Sequence, residues 1–394
     1  MLSDETVRRE LRWEDDSESD VISGQLYKSL LRRGVVRKER DLTIQFNTDG
    51  VEAFKSSSVQ MWPIQVCVNE LPFKFRKENI ILCGLWYDYC KPNMNTFLAP
   101  FIEELNSLRQ VGFKVNPNDP HFIKVHTLLS SVDSMARAPL QNIQYVRGES
   151  SCSFCLHPGE DVAVGEGSAR CFLGDIYPLR TNAQHLRDVN RVQADPTLKH
   201  VNGVKGPSAL LLLDGFDIAN SFVPDYLHCV LLGVVKTMVD KCWLATSNHG
   251  KPYYLGNDAK INQIDSFMLQ IFPPSEITRL PRSLHRRKLW RGHEWKNFLL
   301  YHSLPCLKAV GFPEKYLNHW FLLVFGMSCF LNDYISEDSY VKGKKSLREY
   351  VLTLQDVYET PTLNKFNTHL LLHVPKSVKH YRALWASSTF SFES

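Results

Sequence analysis

The stretch Asp41–Gly50, which reads DLTIQFNTDG, decides the fold. From Leu42 to Phe46 apolar residues alternate with polar ones, which is the period-two pattern of a β-strand. The pair Asp49 and Gly50 is a turn signal that ends this strand. The sequence therefore predicts a first strand whose carboxyl end carries an aspartate.

The following hundred or so residues repeat the alternation between short apolar runs and turn signals. They predict two further strands, a helix with one apolar face capped by Gly112, a fourth strand that ends at Asp133, and a second helix that begins at Ser134. The predicted elements lie at residues 64–68, 80–86, 97–108, 122–132 and 134–143.

This order of elements is typical of the RNase H-like α/β topology. Three strands pair as a meander, a helix crosses over, and the fourth strand lies parallel to the first. The carboxyl ends of the first and fourth strands then lie side by side. We therefore expect Asp49 and Asp133 to be neighbours at one edge of the sheet.

The rest of the chain divides by pattern into a core and an insertion. Residues 1–40 mix acidic and basic runs and are interpreted as a loosely ordered lead-in with room for one short helix near Gln25 to Arg33. Residues 41–155 form the first part of the RNase H-like core, residues 156–360 a large, mostly helical insertion, and residues 361–394 the return to the core.

Composition narrows the class of protein. The 394 residues are 44% hydrophobic and 22% charged, with a net charge of +4, which is ordinary for a globular protein. The first twenty residues are polar, and the longest apolar run, 321–331, is shorter than the ~20 residues that span a bilayer. We expect a protein without membrane association or a secretion signal, in the nucleus or the cytoplasm.

Two aspartates at neighbouring strand ends favour catalysis by divalent cations. Phosphoryl transfer with two metal ions needs carboxylates that converge from separate elements, and Mg²⁺ prefers such hard oxygen ligands. Asp49 and Asp133 meet this requirement by topology. Each aspartate, taken alone, fits an ordinary turn equally well, and the residues by themselves leave that alternative open.

Two cysteines and two histidines have the residue types of a zinc site. Cys152 and Cys155 have the CxxC spacing, and His369 and His373 lie four positions apart, where both can share one helix face. Together they make a Cys₂His₂ set for structural Zn²⁺ that would join distant parts of the chain. The spacing is equally compatible with two half-buried cysteines and two helix histidines.

Positive charge is concentrated in residues 279–296, which we call the basic stretch. It holds seven basic residues against one acid, Glu294, and two tryptophans are interleaved with them. Lysine and arginine neutralise phosphates, and an indole can stack on an unpaired base, so the stretch is a candidate DNA-binding surface. A solvated helix face remains the alternative. The candidate residues are Arg279, Arg282, Arg286, Arg287, Lys288, Trp290, Arg291, Trp295 and Lys296.

The chain from Asp41 to Glu393, roughly nine-tenths of its length, resembles the catalytic region of DDE transposases of the CACTA (En/Spm) kind. The segments that carry the resemblance are LTIQFNTDGVEAFKSSSVQMWPIQVCVNELP, FLAPFIEELNSL, CSFCLHPGE, PDYLHCVLLGV, FLLYHSLPCL, NTHLLLHV and LWASSTFSFES. The arrangement of metal-binding residues also resembles that of the catalytic subunit of the V(D)J recombinase.

The resemblance implies an activity and a set of site residues. Asp49, Asp133 and Glu393 match the three catalytic acids, which use Mg²⁺ or Mn²⁺ to cleave a transposon end and join it to target DNA. Both cysteines and both histidines of the CxxC and HxxxH pairs match zinc ligands. The implied partners are transposon-end and target DNA, with a second copy of the chain in a homodimer.

The motif Asp225-x-x-His228 also matches a recurring element of these transposases. Asp225 is therefore an alternative third acid. As a residue pattern alone it also fits the first turn of a helix after Pro224, where an acidic residue is favourable.

Two features favour a truncated or domesticated copy. The sequence ends one residue after Glu393, so the helix expected to carry this acid is almost absent, and residues 1–40 lack the DNA-binding segment that the resemblance leads us to expect. The alternatives to an active Mg²⁺-dependent polynucleotidyl transferase are a non-catalytic module that binds DNA or protein, and an RNase H-like nuclease unrelated to transposition.

Overall fold

The computed structural model of the protein describes residues 4–14, 18–52, 59–272, 277 and 280–393. It is a mixed α/β structure, as the sequence predicts. Its strands are Leu42–Thr48 (β1), Val51–Glu52 (β2), Gln60–Val68 (β3), Ile81–Asp88 (β4), Val125–Ser130 (β5), Glu160–Val164 (β6) and Gly167–Cys171 (β7).

The helices lie between the strands and dominate the second half of the chain. They are Glu5–Arg9 (α1), Gln25–Arg32 (α2), Phe73–Glu78 (α3), Met94–Gln110 (α4), Ser134–Gln141 (α5), Asn182–Ala194 (α6), Asp258–Met268 (α7), Gly292–Asn297 (α8), Ser303–Ala309 (α9), Glu314–Leu331 (α10), Glu337–Tyr358 (α11), Phe366–Leu370 (α12) and Val374–Tyr381 (α13). Wider turns of π type form Tyr226–Val235, Met238–Trp243 and Phe298–His302.

The central sheet is mixed. Strand β1 pairs antiparallel with β3, whose other edge pairs antiparallel with β4, and β1 pairs parallel with β5. The predicted meander and its parallel neighbour are therefore present. Helix α4 makes the crossover, and its first turn is capped by Asn93, which accepts from the amide nitrogens of Asn95 and Thr96.

Strand β1 lies at the centre of the core and is buried along its whole length. Its apolar face packs against α4, where the rings of Phe46 and Phe101 lie 5.6 Å apart. Its polar face is also covered, because Thr43 donates to Glu70 at 2.8 Å and Asn47 donates to the Ser131 carbonyl at 2.7 Å. The alternation of β1 thus separates an apolar layer from a hydrogen-bonded layer, not from solvent.

The short helix predicted near Gln25 to Arg33 is present as α2, and it packs against the rest of the protein, which a loosely ordered lead-in would not do. Tyr27 of α2 is fully buried, and α2 packs against α13. The carboxylate of Asp20 pairs with the buried guanidinium of Arg76 at 2.8 Å. A buried arginine needs such a counter-charge, and the two residues are 56 positions apart in the chain, so sequence pattern alone does not reveal the pair.

Residues 156–360 begin with a hairpin of β6 and β7 and continue mainly as helices, of which α10 and α11 pack side by side. The division of the chain into core and insertion stays a prediction. Across the ranges that the structure describes, no helix combines the length and the apolar character needed to span a membrane.

Candidate active site and metal centre

Asp49 and Asp133 occupy equivalent places at the ends of two adjacent strands. Phe46 of β1 is in register with Ser130 of β5, and each aspartate follows its register position by three residues. The strands remain joined beyond that point, because the Ser131 amide donates to the Phe46 carbonyl at 2.9 Å. Parallel pairing therefore brings both carboxylates to one edge of the sheet.

Local hydrogen bonds orient the two carboxylates. One oxygen of Asp49 accepts from the amide of Gly50 at 2.7 Å. One oxygen of Asp133 accepts from the amide of Ala136 at 2.6 Å and so caps the first turn of α5. Each aspartate thus has a turn or capping role and also lies at the sheet edge. The turn-forming interpretation of these residues is therefore compatible with the cation-binding one.

The acids repel one another electrostatically. Burial and then the charge of Asp133 raise the pKa of Asp49 to about 6, and the charge of Glu393 acts in the same direction. The positive charge of His228 opposes this shift. Negative charge contributed by separate elements therefore accumulates at one place, which is an environment that favours a bound cation.

Asp225 is buried, and both of its carboxylate oxygens accept hydrogen bonds. It accepts from the amide and Nδ1 of His228 at 2.8 and 2.9 Å, and from the amide and hydroxyl of Thr389 at 2.9 Å each. These interactions outweigh the effect of burial and hold the pKa of Asp225 below its ordinary value. Its carboxylate oxygens are occupied within the protein, which favours a positioning role over the role of an open metal ligand.

His228 links Asp225 to Glu393. Its Nε2 lies 3.4 Å from Oε1 of Glu393, while its Nδ1 contacts Asp225. Burial opposes protonation of this imidazole, but the hydrogen bond to Asp225 and the surrounding acids raise its pKa to about 9. His228 is therefore a cation near neutral pH, and Glu393, whose side chain is 42% exposed, lies against it.

The segment that carries Glu393 is hydrogen-bonded to the central sheet. The carbonyl of Ala386 accepts from Nε2 of Gln45 at 3.4 Å, and the carbonyl of Ser387 accepts from the hydroxyl of Ser131 at 2.8 Å. Residues 386–389 thus run over the ends of β1 and β5. No sequence pattern marks these positioning residues, since isolated serine, threonine and glutamine residues form no motif.

A cleft of about 760 Å³ opens beside Asp133 and His228. Three cationic residues, Arg147, Arg170 and Lys365, line it. Arg170 is paired with Asp161 at 2.9 Å, whereas Arg147 and Lys365 are exposed. The cleft therefore offers positive charge next to the acids, and it suits a polyanion that approaches the sheet edge.

The four predicted zinc ligands come together although 214 or more residues separate the cysteines from their histidine partners. Cys152 Sγ lies 3.5 Å from His373 Nε2, Cys155 Sγ lies 3.3 Å from His369 Nε2, and the two Nε2 atoms are 3.2 Å apart. All four residues are buried. In the part of the chain that the structure describes, they are the only group of three or more potential ligands gathered within 4.8 Å, and the three acids form no group of that kind.

These distances fit a tetrahedral zinc ion. With Zn–S bonds of about 2.3 Å and Zn–N bonds of about 2.0–2.1 Å, sulfur and nitrogen ligands lie about 3.5 Å apart and two nitrogens about 3.3 Å apart. Burial opposes ionisation, but the hydrogen bond from Cys155 and the two imidazoles lower the pKa of the Cys152 thiol well below its ordinary value. The donor set and its spacing both match structural Zn²⁺.

Aromatic packing orients the two histidines. His373 stacks on Phe154 with ring centroids 5.3 Å apart, and His369 stacks on Phe172 at 4.9 Å. Among the described residues neither Nδ1 atom has a hydrogen-bond partner. The two imidazole rings are therefore held by stacking and by their contacts with the cysteines and with each other. Metal-binding histidines more often donate a hydrogen bond from the second ring nitrogen to a nearby carboxylate or carbonyl.

The basic stretch is partly neutralised within the protein. Arg282 pairs with Glu294 at 2.7 Å, and Arg287 pairs with Asp240 at 2.6 Å. Arg279 lies outside the described residues. The side chains of Arg286, Lys288 and Arg291 are exposed and make no ion pair with the described part of the chain, so they are the cations best placed to meet DNA phosphates.

The two tryptophans of the basic stretch do not fit the role that the sequence suggested. Trp290 is 6% exposed, Trp295 is fully buried, and their rings pack 4.8 Å apart in the core. Burial prevents either indole from stacking on an incoming base, so that expectation is corrected here. Lys296 is half-buried, and burial lowers its pKa.

Comparison with known proteins gives one result. Residues 27–200 match a family model described as transposase family tnp2. The matched span contains Asp49, Asp133, Cys152 and Cys155, which are two of the acids and two of the candidate zinc ligands. No curated protein matches the chain. The similarity supports a relationship to transposases, whereas the closer resemblance to the CACTA kind stays a prediction.

We expect one equivalent of tightly bound zinc per chain, measured by elemental analysis of the purified protein. Cys155→Ser should abolish the zinc and lower the free energy of unfolding by several kcal/mol, because structural zinc contributes on the order of 10 kcal/mol to folding. Cys83→Ser, which changes an exposed cysteine, is the matched control and should leave both unchanged. Protein that folds normally without zinc would contradict the assignment.

Replacing Asp49 with asparagine should stabilise the metal-free protein at pH 8. The pKa of Asp49 rises on folding from about 4 to about 6, so the wild type loses stability as the pH rises through that window and stays less stable above it. Asp49→Asn removes this cost, and we expect a gain on the order of 1–2 kcal/mol at pH 8 that vanishes near pH 4. Urea denaturation at both pH values measures it, and an equal effect at both would refute the electrostatic explanation.

Proposed function

We propose that this chain carries the active site of a DDE-type DNA transposase on an RNase H-like core, with Asp49, Asp133 and Glu393 as its acids. The observation that carries the proposal is the equivalent placement of the two aspartates beyond adjacent parallel strands. The electrostatic influence of Glu393 on Asp49 supports the third assignment. The match of residues 27–200 to a transposase family supports the class of protein.

The chemistry of the acids suits divalent cations. Carboxylates are the hard oxygen ligands that Mg²⁺ and Mn²⁺ prefer, and repulsion among the acids is relieved when a cation binds. When bound, two such ions would activate the attacking oxygen and neutralise the leaving one. Asp49, Asp133 and Glu393 would act as ligands, so no residue of the chain would form a covalent bond with DNA.

His228 is proposed to hold Glu393 in its working position. The imidazolium lies against the Glu393 carboxylate and is itself oriented by Asp225. Burial raises the pKa of Glu393, and the charge of His228 acts against that shift and so favours the ionised, metal-binding form. On this reading Asp225 is a positioning residue, and Glu393 is the third acid.

The overall reaction would be cleavage and joining of DNA strands. Water would attack a phosphodiester at the transposon end and break its P–O3′ bond, which leaves a 3′-hydroxyl on one side and a 5′-phosphate on the other. The 3′-hydroxyl would then attack a phosphodiester of target DNA in line, forming a new P–O bond and releasing a 3′-hydroxyl of the target strand. The cleft with Arg147 and Lys365 would receive the strand that holds the cleaved bond. The exposed cations of the basic stretch would contact the backbone farther away, without strong preference for sequence.

The zinc centre is proposed to act as a structural clip. The cysteines follow α5, His369 lies in α12, and His373 directly precedes α13, so the ion would join the end of the helical region to the core. The segment with Glu393 starts shortly after this clip. Zinc would therefore support the active site through the position of the third acid, and it would not take part in the reaction.

We expect the purified protein to nick supercoiled plasmid DNA in Mg²⁺ or Mn²⁺, with Asp49→Asn and Asp133→Asn each reducing the rate at least ~100-fold. Loss of a metal ligand should cost no less than loss of an outer-shell partner, which costs ~10–100-fold. Glu103→Gln, on the exposed face of α4, is the matched control and should retain full activity. Conversion of plasmid to open circles on agarose gels measures the rate.

Two outcomes of that experiment would contradict the catalytic proposal. Nicking that survives both aspartate substitutions would show that another site, or a contaminant, cleaves the DNA. Wild-type protein that binds DNA but never nicks it in either cation would favour the non-catalytic, domesticated module.

Duplex DNA binding should weaken steeply with salt, because each phosphate contact releases condensed counterions with a log–log slope of about −0.9. Reversing Arg286, Lys288 and Arg291 to glutamate should flatten that slope by about two to three units. The comparison set is Lys199, Lys344 and Lys345, three exposed lysines elsewhere in the chain, reversed in the same way. Fluorescence anisotropy of a random duplex between 50 and 200 mM salt, as an approximate range, gives the slopes. Coincident slopes for wild type and the first triple variant would show that the DNA path avoids the basic stretch.

A further inference from the structure

A second pocket, of about 500 Å³, lies beside the segment that carries Glu393. We call it the aromatic pocket, because Phe73 of α3, Tyr226, Trp385 and Phe390 form much of its wall. Its volume is within the range of ligand-binding sites in proteins. None of its lining residues is a candidate acid or a zinc ligand, so it is distinct from both centres described above.

The walls of the pocket offer flat ring surfaces. The rings of Phe73 and Trp385 meet edge to face at 4.9 Å, and all three rings of Phe73, Trp385 and Phe390 are only partly buried. Phe390 is held between Tyr226 at 6.1 Å and His293 at 4.8 Å. The ammonium of Lys77 lies over the Phe73 ring, 5.1 Å from its centroid, so Trp385 and Phe390 are the rings best placed to stack on an unpaired base.

Two polar atoms in the wall have no hydrogen-bond partner among the described residues. They are the hydroxyl of Tyr226, a residue only 3% exposed, and Nε1 of Trp385. Buried polar groups are nearly always satisfied, so a pair of unsatisfied groups lining one cavity calls for an explanation. Both atoms are shielded from solvent, so a ligand would reach them only through a small shift of the wall, and the assignment of the ligand rests on the rings and the charges.

The charge of the pocket points to an anionic ligand. Lys77 and Lys296 both line it against one acid, Asp333, and neither lysine makes an ion pair with the described part of the chain. Burial lowers the pKa of Lys296, the positive charge of Lys77 lowers it further, and Asp333 acts in the opposite direction. A phosphate bound between the two lysine side chains would relieve the repulsion between their positive charges.

We propose that the aromatic pocket binds one unpaired nucleotide of a DNA strand, with its base against the rings and its phosphate near Lys77 and Lys296. The assignment to DNA rests on the proposed function, because Tyr226 lies within the Asp225-x-x-His228 motif and Phe390 precedes Glu393 by three residues. The pocket and the acids are thus built from the same two segments. The bound nucleotide is therefore one that neighbours the cleaved bond.

The test uses a duplex with a single unpaired 2-aminopurine at its 3′ end and the same duplex fully paired, without added divalent cation so that no cleavage occurs. We expect quenching of the 2-aminopurine emission and about five- to hundredfold tighter binding of the unpaired form, since stacking of a base has that range of strength. Phe390→Ala should abolish the preference, and Lys296→Gln should reduce it. Tyr87→Ala and Lys344→Gln, at exposed positions elsewhere, are the matched controls and should preserve it.

A conservative variant guards against loss of the fold. Trp385→Phe keeps an aromatic ring on the wall of the pocket, so it should retain most of the preference while the thermal unfolding curve stays unchanged. A wild type that binds both duplexes equally, or a preference that survives both Phe390→Ala and Lys296→Gln, would overturn the proposal.

A third ligand separates the two sources of a nucleotide. The 5′-monophosphate of 2-aminopurine deoxyriboside should bind at least tenfold more weakly than the unpaired duplex, and equal affinity would overturn the assignment to a DNA strand. Failure of the pocket and failure of the proposed function are distinguishable. If the protein prefers the unpaired duplex but never nicks plasmid DNA, the nucleotide pocket stands and the catalytic proposal fails. If the protein nicks plasmid DNA but binds both duplexes equally, the catalytic proposal stands and the nucleotide pocket fails.

Discussion

The buried carboxylate of Asp225 is the constraint on which the rest of the candidate site depends. A buried charge is stable only when it is fully hydrogen-bonded, and Asp225 meets that condition with His228 on one side and Thr389 on the other. Removing either partner would leave the carboxylate unsatisfied. The same interaction therefore fixes the imidazole, fastens the C-terminal segment and brings Glu393 to the sheet edge.

The candidate zinc centre constrains the same part of the chain from the other end. His369 and His373 lie about twenty residues before Glu393, and their cysteine partners follow the helix that Asp133 caps. One end of the C-terminal segment is thus tied near Asp133, and the other is tied to Asp225 and to the ends of β1 and β5. A segment held at two points has little freedom, which suits the proposed role of Glu393 as a third acid beside Asp49 and Asp133.

The sequence was sufficient for those parts of the fold that local pattern determines. The alternation of β1 and the turn after it predicted a strand ending at Asp49, and parallel pairing then followed from the order of the elements. Burial could not be predicted in the same way. The pairs of Asp20 with Arg76 and of Arg282 with Glu294, and the burial of Trp290 and Trp295, are tertiary properties that charge counts and aromatic spacing leave undetermined.

The arrangement of Asp49 beside Asp133 and Glu393 is electrostatically unfavourable for the folded protein. Asp49 is held where burial and neighbouring carboxylates raise its pKa, and the amide of Gly50 and the imidazolium of His228 oppose that shift. A protein selected for stability alone would separate these groups, because like charges at a half-buried position destabilise the folded state. The acids at the ends of β1 and β5 therefore lie where a bound cation would relieve their repulsion, which is the physical basis of the proposed metal-dependent function.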